Sequence, residues 1–357
     1  MPVIGNTGLA ILAFFVVLGP LILFHELGHF LAARFNKITV EEFGIGFPPR
    51  MVTLFEQGGT KFTLNWIPLG GFMRPAGEDD PNIPGGFATA PPWVRISVLA
   101  AGPLANVLFA FLLLIGMYML GAPDPQPGAQ ITLVAEDSPA EQAGLLVGDI
   151  VLQADEVEIE STNDLITHVG THGGEEVLLT VQRDQTTVQL PITPRTEWPE
   201  GQGPTGIQIS SVFETRRFGP FEAVGRAATD SVDMILVLPR AISAVIEGVI
   251  PARLLRPVSV VGISQLGGQY IDVSVQQNAL WPIVQLTAYI SIAIGITNLL
   301  PFPALDGGRI AFAVLELIRG RRIDPEREMV VHFIGFAVLL AAMFIFIYLD
   351  IVDPVVQ

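Results

Sequence analysis

Residues 21–33 of this 357-residue chain read LILFHELGHFLAA, an apolar run interrupted by His25, Glu26 and His29. The run belongs to a longer apolar stretch, residues 7–35, which exceeds the roughly 20 residues that a helix needs to cross a bilayer. Ionisable groups inside such a stretch are energetically costly and usually mark a functional site. We therefore predict a membrane-spanning helix that carries chemistry.

The spacing of the two histidines predicts a metal site. Residues i and i+4 share one face of a helix, so the imidazoles of His25 and His29 can hold the same ion. Glu26 stands where the acid of a His-Glu-x-x-His motif deprotonates metal-activated water. A chance occurrence is the weaker interpretation, because three fixed residues in a chain of this length arise by accident roughly once in a hundred chains.

A second histidine pair, His168 and His172, has the same spacing but is not expected to bind metal. Val169 occupies the place of the glutamate, and the glycines at 170, 173 and 174 indicate that a helix ends there. We interpret these two histidines as exposed surface residues.

A catalytic zinc site needs a third protein ligand, and the chain contains no cysteine to supply it. Asp306, in the segment 298–308 that reads NLLPFPALDGG, is the first candidate. Its Asp-Gly-Gly sequence is also typical of a plain turn, and spacing alone leaves the two interpretations even. The predicted topology favours the ligand, because the motif helix and the end of the third span approach the same face. His332, at the start of the last apolar stretch, is the second candidate ligand; its alternative is a packed or interfacial histidine.

Composition favours a membrane protein with a soluble portion. Hydrophobic residues make up 50% of the chain and charged residues 15%, against about 25% charged in soluble domains. The net charge of −16 argues against nucleic acid as a partner, since that function calls for a basic surface. Without cysteine there are no disulfides and no thiolate metal sites.

Four apolar stretches predict a polytopic α-helical membrane protein with about four transmembrane helices. A fifth region, residues 221–250, is broken by charges and is better suited to an amphipathic helix on the membrane or packed against the spans. The N-terminus lacks the basic start of a signal peptide, so we expect it to be retained. The four stretches are residues 7–35, 94–120, 280–300 and 329–349.

The distribution of Lys and Arg predicts the orientation. Six of them lie between residues 34 and 95, and five lie between residues 309 and 327. These two loops are expected to face the cytoplasm, which places both termini and the acidic segment between them outside. The predicted localisation is the cell membrane, with the active site near the cytoplasmic side.

The chain divides into four predicted regions. Residues 1–120 form the first half of the membrane core, including a β-hairpin at 41–78 that is rich in Gly, Pro and β-forming residues. Residues 125–195 form an inserted α+β domain, 196–279 an amphipathic and linker region, and 280–357 the second half of the core.

The ordered motifs resemble the site-2 protease family of intramembrane zinc metalloproteases, in its bacterial PDZ-containing form. The resemblance covers nearly the whole chain, and the combination of motifs is specific. They are HELGH at 25–29, PLGGF at 68–72, AGPLAN at 101–106, a PDZ-like domain, and NLLPFPALDGG at 298–308.

The resemblance implies a Zn²⁺ cofactor and a role for each matching residue. The hairpin would receive the substrate as an added strand, a role that pairing of freed amides supports; plain loop packing is the alternative. The implied metal ligands are His25, His29 and Asp306, with Glu26 as general base. The implied substrate-binding residues are Asn298, Asn106, Gly70 and Gly71.

The inserted domain resembles bacterial PDZ domains through SPAEQAGLLVGDIV at 138–151 and the STNDL segment at 161–165. PDZ domains bind extended chain ends by strand addition. The other interpretation, slightly favoured, is a size filter or regulatory domain without a peptide ligand. Some relatives carry two such domains in tandem and this chain has one, so no mechanism that needs a pair is expected.

We predict an intramembrane zinc endopeptidase that cleaves single-span membrane proteins after a first cut in their ectodomain. Its expected partners are that substrate, the bilayer and a peptide ligand of the PDZ domain. Two alternatives remain. A catalytically silent adaptor would use the PDZ domain alone, and a haem- or di-metal redox protein would use His25 and His29 without Glu26 or Asp306.

Overall fold

The computed structural model describes residues 7–78, 83–199, 202–251 and 255–352. The predictions that concern Met1–Asn6 and the possible boundary at Gly201 lie outside these residues. The chain separates into two compact units. One is a membrane unit made of residues 1–120 and 218–357, and the other is an inserted unit made of residues 121–217.

Within the described residues, four helices are long and apolar enough to cross a membrane. This agrees with the predicted number of membrane helices. The spans are Gly8–Phe35, Pro92–Leu120, Trp281–Leu299 and Glu326–Val352. The helices of the membrane unit are α1 (Thr7–Ala13), α2 (Gly19–Phe35), α3 (Pro92–Leu120), α6 (Pro220–Ile246), α7 (Val260–Gln276), α8 (Trp281–Leu299), α9 (Asp306–Arg319) and α10 (Pro325–Val352), whereas α4 and α5 belong to the inserted unit.

The first span changes its helical winding before it reaches the histidines. A π-helical turn, Phe14–Leu18, joins α1 to α2. Pro20 follows this turn and has no N–H to donate to an earlier carbonyl, which is a common cause of local rewinding. Small residues then bring α1 against α7: a Cβ on Gly268 would lie 3.1 Å from the backbone nitrogen of Ala10.

Glycines also allow close packing around α3. A Cβ on Gly28 of α2 would lie 2.3 Å from the carbonyl oxygen of Ala101, and one on Gly295 of α8 would lie 2.8 Å from that of Pro103. These distances are too short for a side chain, so the backbones of α2 and α8 both press directly on α3. A buried ion pair between Arg95 and Glu316 ties α3 to α9.

The predicted hairpin is present, and each of its strands pairs twice. Strands β1 (Val40–Gln57) and β2 (Thr60–Pro75) are antiparallel, and Gly44 is paired with both Thr63 and Phe72. Residues 42–45 therefore lie between two segments of β2, so that two long strands build a four-stranded arrangement. The second of these segments, residues 71–74, has β1 on one side, and the register gives it no other strand partner among the described residues.

Helix α6 has a narrow packed face. Ala223, Ala227 and Ser231, spaced by four residues, are buried, whereas most of its other side chains are exposed or half-buried. The Tyr118 hydroxyl of α3 donates to Asp230 of α6 at 2.5 Å. The described part of region 221–250 is thus a helix packed by one face against the membrane core, without the apolar length of the four spans.

The inserted unit is an α+β domain built on one antiparallel sheet with the order β7-β6-β4-β3-β8 and β5 beside β4. It is larger than the predicted range 125–195, because β8 pairs with β3 along nearly its whole length. Its elements are β3 (Ala122–Val134), α4 (Pro139–Gln142), β4 (Ile150–Ala154), β5 (Val157–Glu158), α5 (Thr162–Thr171), β6 (Val177–Arg183), β7 (Thr186–Ile192) and β8 (Ile207–Arg216).

One buried carboxylate supports the turn between α4 and β4. The side chain of Asp149 is 1% exposed and accepts from the Arg183 guanidinium at 2.7 and 2.8 Å and from the Leu146 amide at 2.9 Å. The hydrogen bonds from Arg183 hold the pKa of Asp149 below its ordinary value of 3.8. A lowered pKa means that the carboxylate stabilises the fold above that value and loses this contribution as the pH falls through the folded pKa.

Replacing Asp149 by Asn should destabilise the inserted unit by about 2 kcal/mol at neutral pH, since charged hydrogen bonds to Arg183 are lost. The difference between Asp149→Asn and wild type should shrink below about pH 4, where wild type loses the same charge. Hydrogen exchange of β4 and β6 in the full chain measures both effects. Asp184→Asn, at an exposed neighbour of Arg183, is the control; equal protection in all three proteins would contradict the assignment.

Candidate active site

The two motif histidines lie on one face of α2 and point at the same place. Their Nε2 atoms are 3.1 Å apart. His29 is 7% exposed, and its Nδ1 donates to the carbonyl oxygen of Val98 on α3 at 2.8 Å. This hydrogen bond leaves the lone pair of Nε2 directed toward His25. A backbone carbonyl behind an imidazole is the usual way to orient a histidine that binds metal.

Asp306 completes the group from the other half of the chain. It is the first residue of α9, directly after the Pro-containing loop that follows α8. Its Oδ2 lies 3.1 Å from Nε2 of His25 and 3.4 Å from Nε2 of His29. Among the described residues, this is the only group of three or more His, Cys, Asp or Glu ligand atoms close enough to hold a metal ion.

The spacing of these three atoms fits zinc. Tetrahedral Zn²⁺ with bonds of about 2.1 Å has ligand atoms about 3.4 Å apart, so separations of 3.1–3.4 Å suit such an ion. Two nitrogen donors and one carboxylate oxygen are also a ligand set that catalytic zinc sites use. The residues therefore fit the predicted cofactor.

Room for the second imidazole comes from a glycine on α3. A Cβ on Gly102 would lie 2.3 Å from Nε2 of His29, the atom that faces the other ligands. No side chain fits at that distance, so glycine is required for His29 to reach its position. The sequence motif AGPLAN at 101–106 contains this glycine, although its packing role could not be read from the motif.

Glu26 lies at a cavity of about 560 Å³ beside the three ligands. The strand edge of the hairpin forms one wall: a Cβ on Gly71 would lie 3.1 Å from Cγ of Glu26. Gly70, with φ +112°, adopts a conformation that favours glycine. Of the predicted site residues, the structure brings together at this cavity His25, Glu26, His29, Gly70, Gly71, Asn298 and Asp306.

Asn106 lies elsewhere, behind the first histidine. It is fully buried, and its Nδ2 is 3.3 Å from Nδ1 of His25. Its Oδ1 has no hydrogen-bond partner among the described residues. A rotation of the amide would exchange these two atoms and let the oxygen accept from His25 Nδ1–H. In either orientation, the side chain contacts a predicted metal ligand and is not part of the cavity lining.

His332, the second candidate for the third ligand, is outside the metal group. Its Nδ1 accepts a hydrogen bond from the backbone N–H of Ala304 at 2.9 Å. The structure therefore supports its alternative as a packed histidine. One further contact was not foreseen from the sequence: Arg309 donates to Glu78 at 2.5 Å, joining α9 to the segment after β2 at the cavity wall.

The second histidine pair departs from one expectation. The helix ends at Thr171, as the glycines indicate. The expectation of exposed surface histidines is wrong for His168, whose side chain is only 12% exposed. Its Nε2 donates to Asp155 at 2.7 Å, and its ring stacks on His172 with 4.3 Å between centroids.

Two histidines and an aspartate that can hold one metal ion, with the Glu26 carboxylate beside them, form the arrangement of a metallopeptidase site. The chain matches Peptidase family M50 over residues 13–342 and belongs to this family, that of the site-2 proteases. Family membership confirms the resemblance noted in the sequence. It also confirms the predicted enzyme class, a site-2-type zinc metalloprotease, and Zn²⁺ as the cofactor of that class. It also agrees with a multi-pass membrane protein.

Similar proteins extend over almost the full chain. A Rhizobium meliloti (strain 1021) protein, R01501, provisionally named a zinc metalloprotease, is 30% identical and covers 94% of this chain and 95% of its own length. The regulator of sigma-W protease RasP of Bacillus subtilis (strain 168) is 28% identical and covers 96% of this chain and 98% of its own length. A solved PDZ domain from Listeria monocytogenes covers 24% of this chain and 87% of its own at 23% identity, but its TM-score of 0.21 is too low to support a fold argument.

Replacing Gly102 by Ala should displace His29 and lower the zinc content of the purified protein, because the added methyl group overlaps the imidazole. We expect at least a tenfold loss of zinc affinity, the scale of disturbed ligand orientation. Gly116→Ala is the matched control on the same helix, since nothing lies within 4 Å of its Cβ position. Competition with a chelator measures the affinities, and normal zinc binding by Gly102→Ala would contradict the packing assignment.

Proposed function

We propose that the enzyme hydrolyses peptide bonds of single-span membrane proteins inside or beside the bilayer. The observation that carries this proposal is the position of Glu26 at a cavity shared with His25, His29 and Asp306. The combination supports general acid–base catalysis at a metal centre, and a wall formed by a strand edge suits an extended peptide. We assign the three ligands and Glu26 to this reaction.

The residues of the chain have separate tasks in this reaction. His25, His29 and Asp306 would hold Zn²⁺, which supplies Lewis-acid polarisation of a carbonyl and lowers the pKa of water. Glu26 takes a proton from the attacking water and passes it to the leaving amine. The hydrogen bond from His29 to Val98 fixes one ligand ring before substrate arrives. Ile22 and Leu99 add apolar surface to the lining of the same cavity.

The hairpin supports a role in substrate binding. A substrate helix satisfies its amides internally, so unwinding it in a membrane leaves backbone groups that need partners. Residues 71–74 of β2 are paired with β1 on one side, and Gly71 approaches Glu26. A substrate strand added at this edge would carry its carbonyl groups past the catalytic carboxylate. Asn298, which lines the same cavity at the end of α8, is proposed to donate to one of them.

Asn106 is better placed to orient His25 than to touch substrate. Its side chain is buried against Nδ1 of His25 and lines no part of the cavity around Glu26. We assign it as a positioning residue for that ligand. Its earlier interpretation as a substrate contact would require the side chain to leave this contact.

Orientation and regulation are proposed from the sequence. The basic loops place the metal centre near the cytoplasmic face of the cell membrane, with the termini and the inserted unit outside. The motif order of the inserted unit supports a PDZ domain that excludes substrates with a bulky ectodomain. A first cut that removes the ectodomain of the substrate would then have to precede cleavage by this enzyme. Binding of a peptide by the PDZ domain is the competing role for this unit.

Glu26→Gln should abolish cleavage while leaving zinc bound, because the amide keeps the size of the side chain but accepts no proton. Co-expression with a panel of single-span reporters lacking their ectodomain, followed by gel mobility, measures this. Zinc content of the same purified variants separates catalysis from metal loss. Equal fragments from wild type and Glu26→Gln would remove this residue from the mechanism and favour the adaptor; iron in place of zinc would favour the redox protein.

Removal of the inserted unit tests its role as a filter. Ala122 and Arg216 are paired across β3 and β8, so its two ends lie close together and a short Gly-Ser linker can replace residues 122–216. This variant should cleave reporters that still carry a folded ectodomain, which wild type should leave intact. Trimmed reporters are the control and should be cut by both proteins. If the deletion variant no longer cleaved the trimmed reporters, the inserted unit would instead be needed to bind substrate.

A further inference from the structure

The loop that presents Asp306 contains a residue in an unfavourable conformation. Ala304 has φ +76°, in the left-handed region that alanine rarely adopts. Such a conformation is strained and persists only where the surroundings hold it. Ala304 is two residues before the proposed ligand and lines the same cavity. The contacts that hold it therefore bear on the position of the ligand.

Helix α10 supplies two such contacts, one turn apart. Nδ1 of His332 accepts from the N–H of Ala304 at 2.9 Å. At Gly335, a Cβ would lie 2.4 Å from Cβ of Pro303 and 2.7 Å from its carbonyl oxygen. The missing side chain at Gly335 lets the helix backbone press on Pro303 while His332 bonds to the next residue. Both contacts fall on the same two loop residues, 303 and 304.

The loop passes this restraint on to the start of α9. The amide of Leu305 donates to the carbonyl of Phe302 at 3.2 Å, and the amide of Gly308 donates to Leu305 at 3.1 Å. A Cβ on Gly308 would lie 2.3 Å from the carbonyl oxygen of Phe302, so the first turn of α9 packs directly on the loop. With both sides of Asp306 fixed in this way, a shift of Ala304 would move the carboxylate relative to the histidines.

We propose that His332, together with Gly335, is a positioning device through which α10 sets the place of Asp306 in the metal site. The inference rests on the proposed role of Asp306 as a ligand. His332 is not one of the three candidate ligands and does not line the cavity around Glu26, so it acts through the backbone of Ala304. Since its Nδ1 is the acceptor, the ring proton sits on Nε2, a buried atom 3.8 Å from Glu328 with no hydrogen-bond partner among the described residues.

Two substitutions of His332 separate the hydrogen bond from the volume of the ring. Asn places its side-chain oxygen about where Nδ1 lies and keeps an acceptor for Ala304, whereas Leu removes the acceptor. In the purified full chain, His332→Leu should weaken zinc affinity about tenfold, the low end of the range for residues behind a ligand. His332→Asn should stay within about threefold of wild type. Val331→Leu, the adjacent residue on α10, is the matched control.

A second variant tests the backbone conformation itself. Glycine adopts a positive φ without strain, so Ala304→Gly alone should bind zinc as wild type does. Combined with His332→Leu, it should recover a large part of the lost affinity, because the loop then needs less help to stay in place. A structural defect elsewhere in α10 would not be repaired by a glycine at position 304.

The experiment is chelator competition for zinc in detergent, with cleavage of a trimmed reporter as a second readout. Wild-type affinity in His332→Leu, beside a loss in Asp306→Asn, would overturn the inference and leave the ligand assignment standing. Wild-type affinity in Asp306→Asn would overturn the ligand assignment. If His332→Leu does not fold, Gly335→Ala applies the same test, since its methyl group must push Pro303; normal zinc affinity there would also overturn the inference.

Discussion

Each polar group left without a partner in the apolar interior of a membrane costs several kcal/mol, and the arrangement of the candidate site reflects that cost. Two imidazoles and a carboxylate face one another, and one of these imidazoles is held from behind by a backbone carbonyl of the next helix. His29 reaches Val98 on α3 and Asp306 on α9 at once. Helices from both halves of the chain must therefore meet at one point, whatever the inserted unit between them does.

A second buried carboxylate lies in the hairpin. Glu42 is 3% exposed and is neutralised by Arg50 and Arg74, while Thr63 donates to it as well. This cluster joins segments of both long strands where β1 pairs with β2 twice. The strand segment 71–74 lies beside Glu26.

Much of the site could be predicted from the sequence, because its signals are local. Helical spacing places His25 and His29 on one face, and Glu26 follows from the motif. Asp306 is 277 residues beyond His29, so spacing left its role even with a turn. The predicted topology, which brings the first and third spans to the same face, favoured the ligand, and the resemblance to a family agreed. The number of spans followed from apolar length, which depends on composition alone.

Other features depend on contacts between distant segments and had no local signal. Gly102 and Gly335 look like ordinary small residues in apolar helices, and only their neighbours in space explain them. The double pairing of β1 with β2 cannot be predicted from the alternation of apolar and polar residues, because a residue such as Gly44 pairs with two different segments of β2. Likewise, β8 joins the inserted sheet from beyond the predicted boundary because its partner β3 is some 80 residues earlier along the chain.

Close approach through glycine has a consequence for how such a protein tolerates change. At positions 28, 102, 295, 307, 308 and 335, a Cβ would lie within 3 Å of another atom. Alanine is usually a small and neutral replacement, but at these positions its methyl group is already too large. An alanine scan would therefore detect reactive and binding groups by what it removes. At these glycines, the same scan would detect tight packing by the carbon atom that it adds. The geometry of the candidate site thus depends in part on the absence of side chains at these glycines.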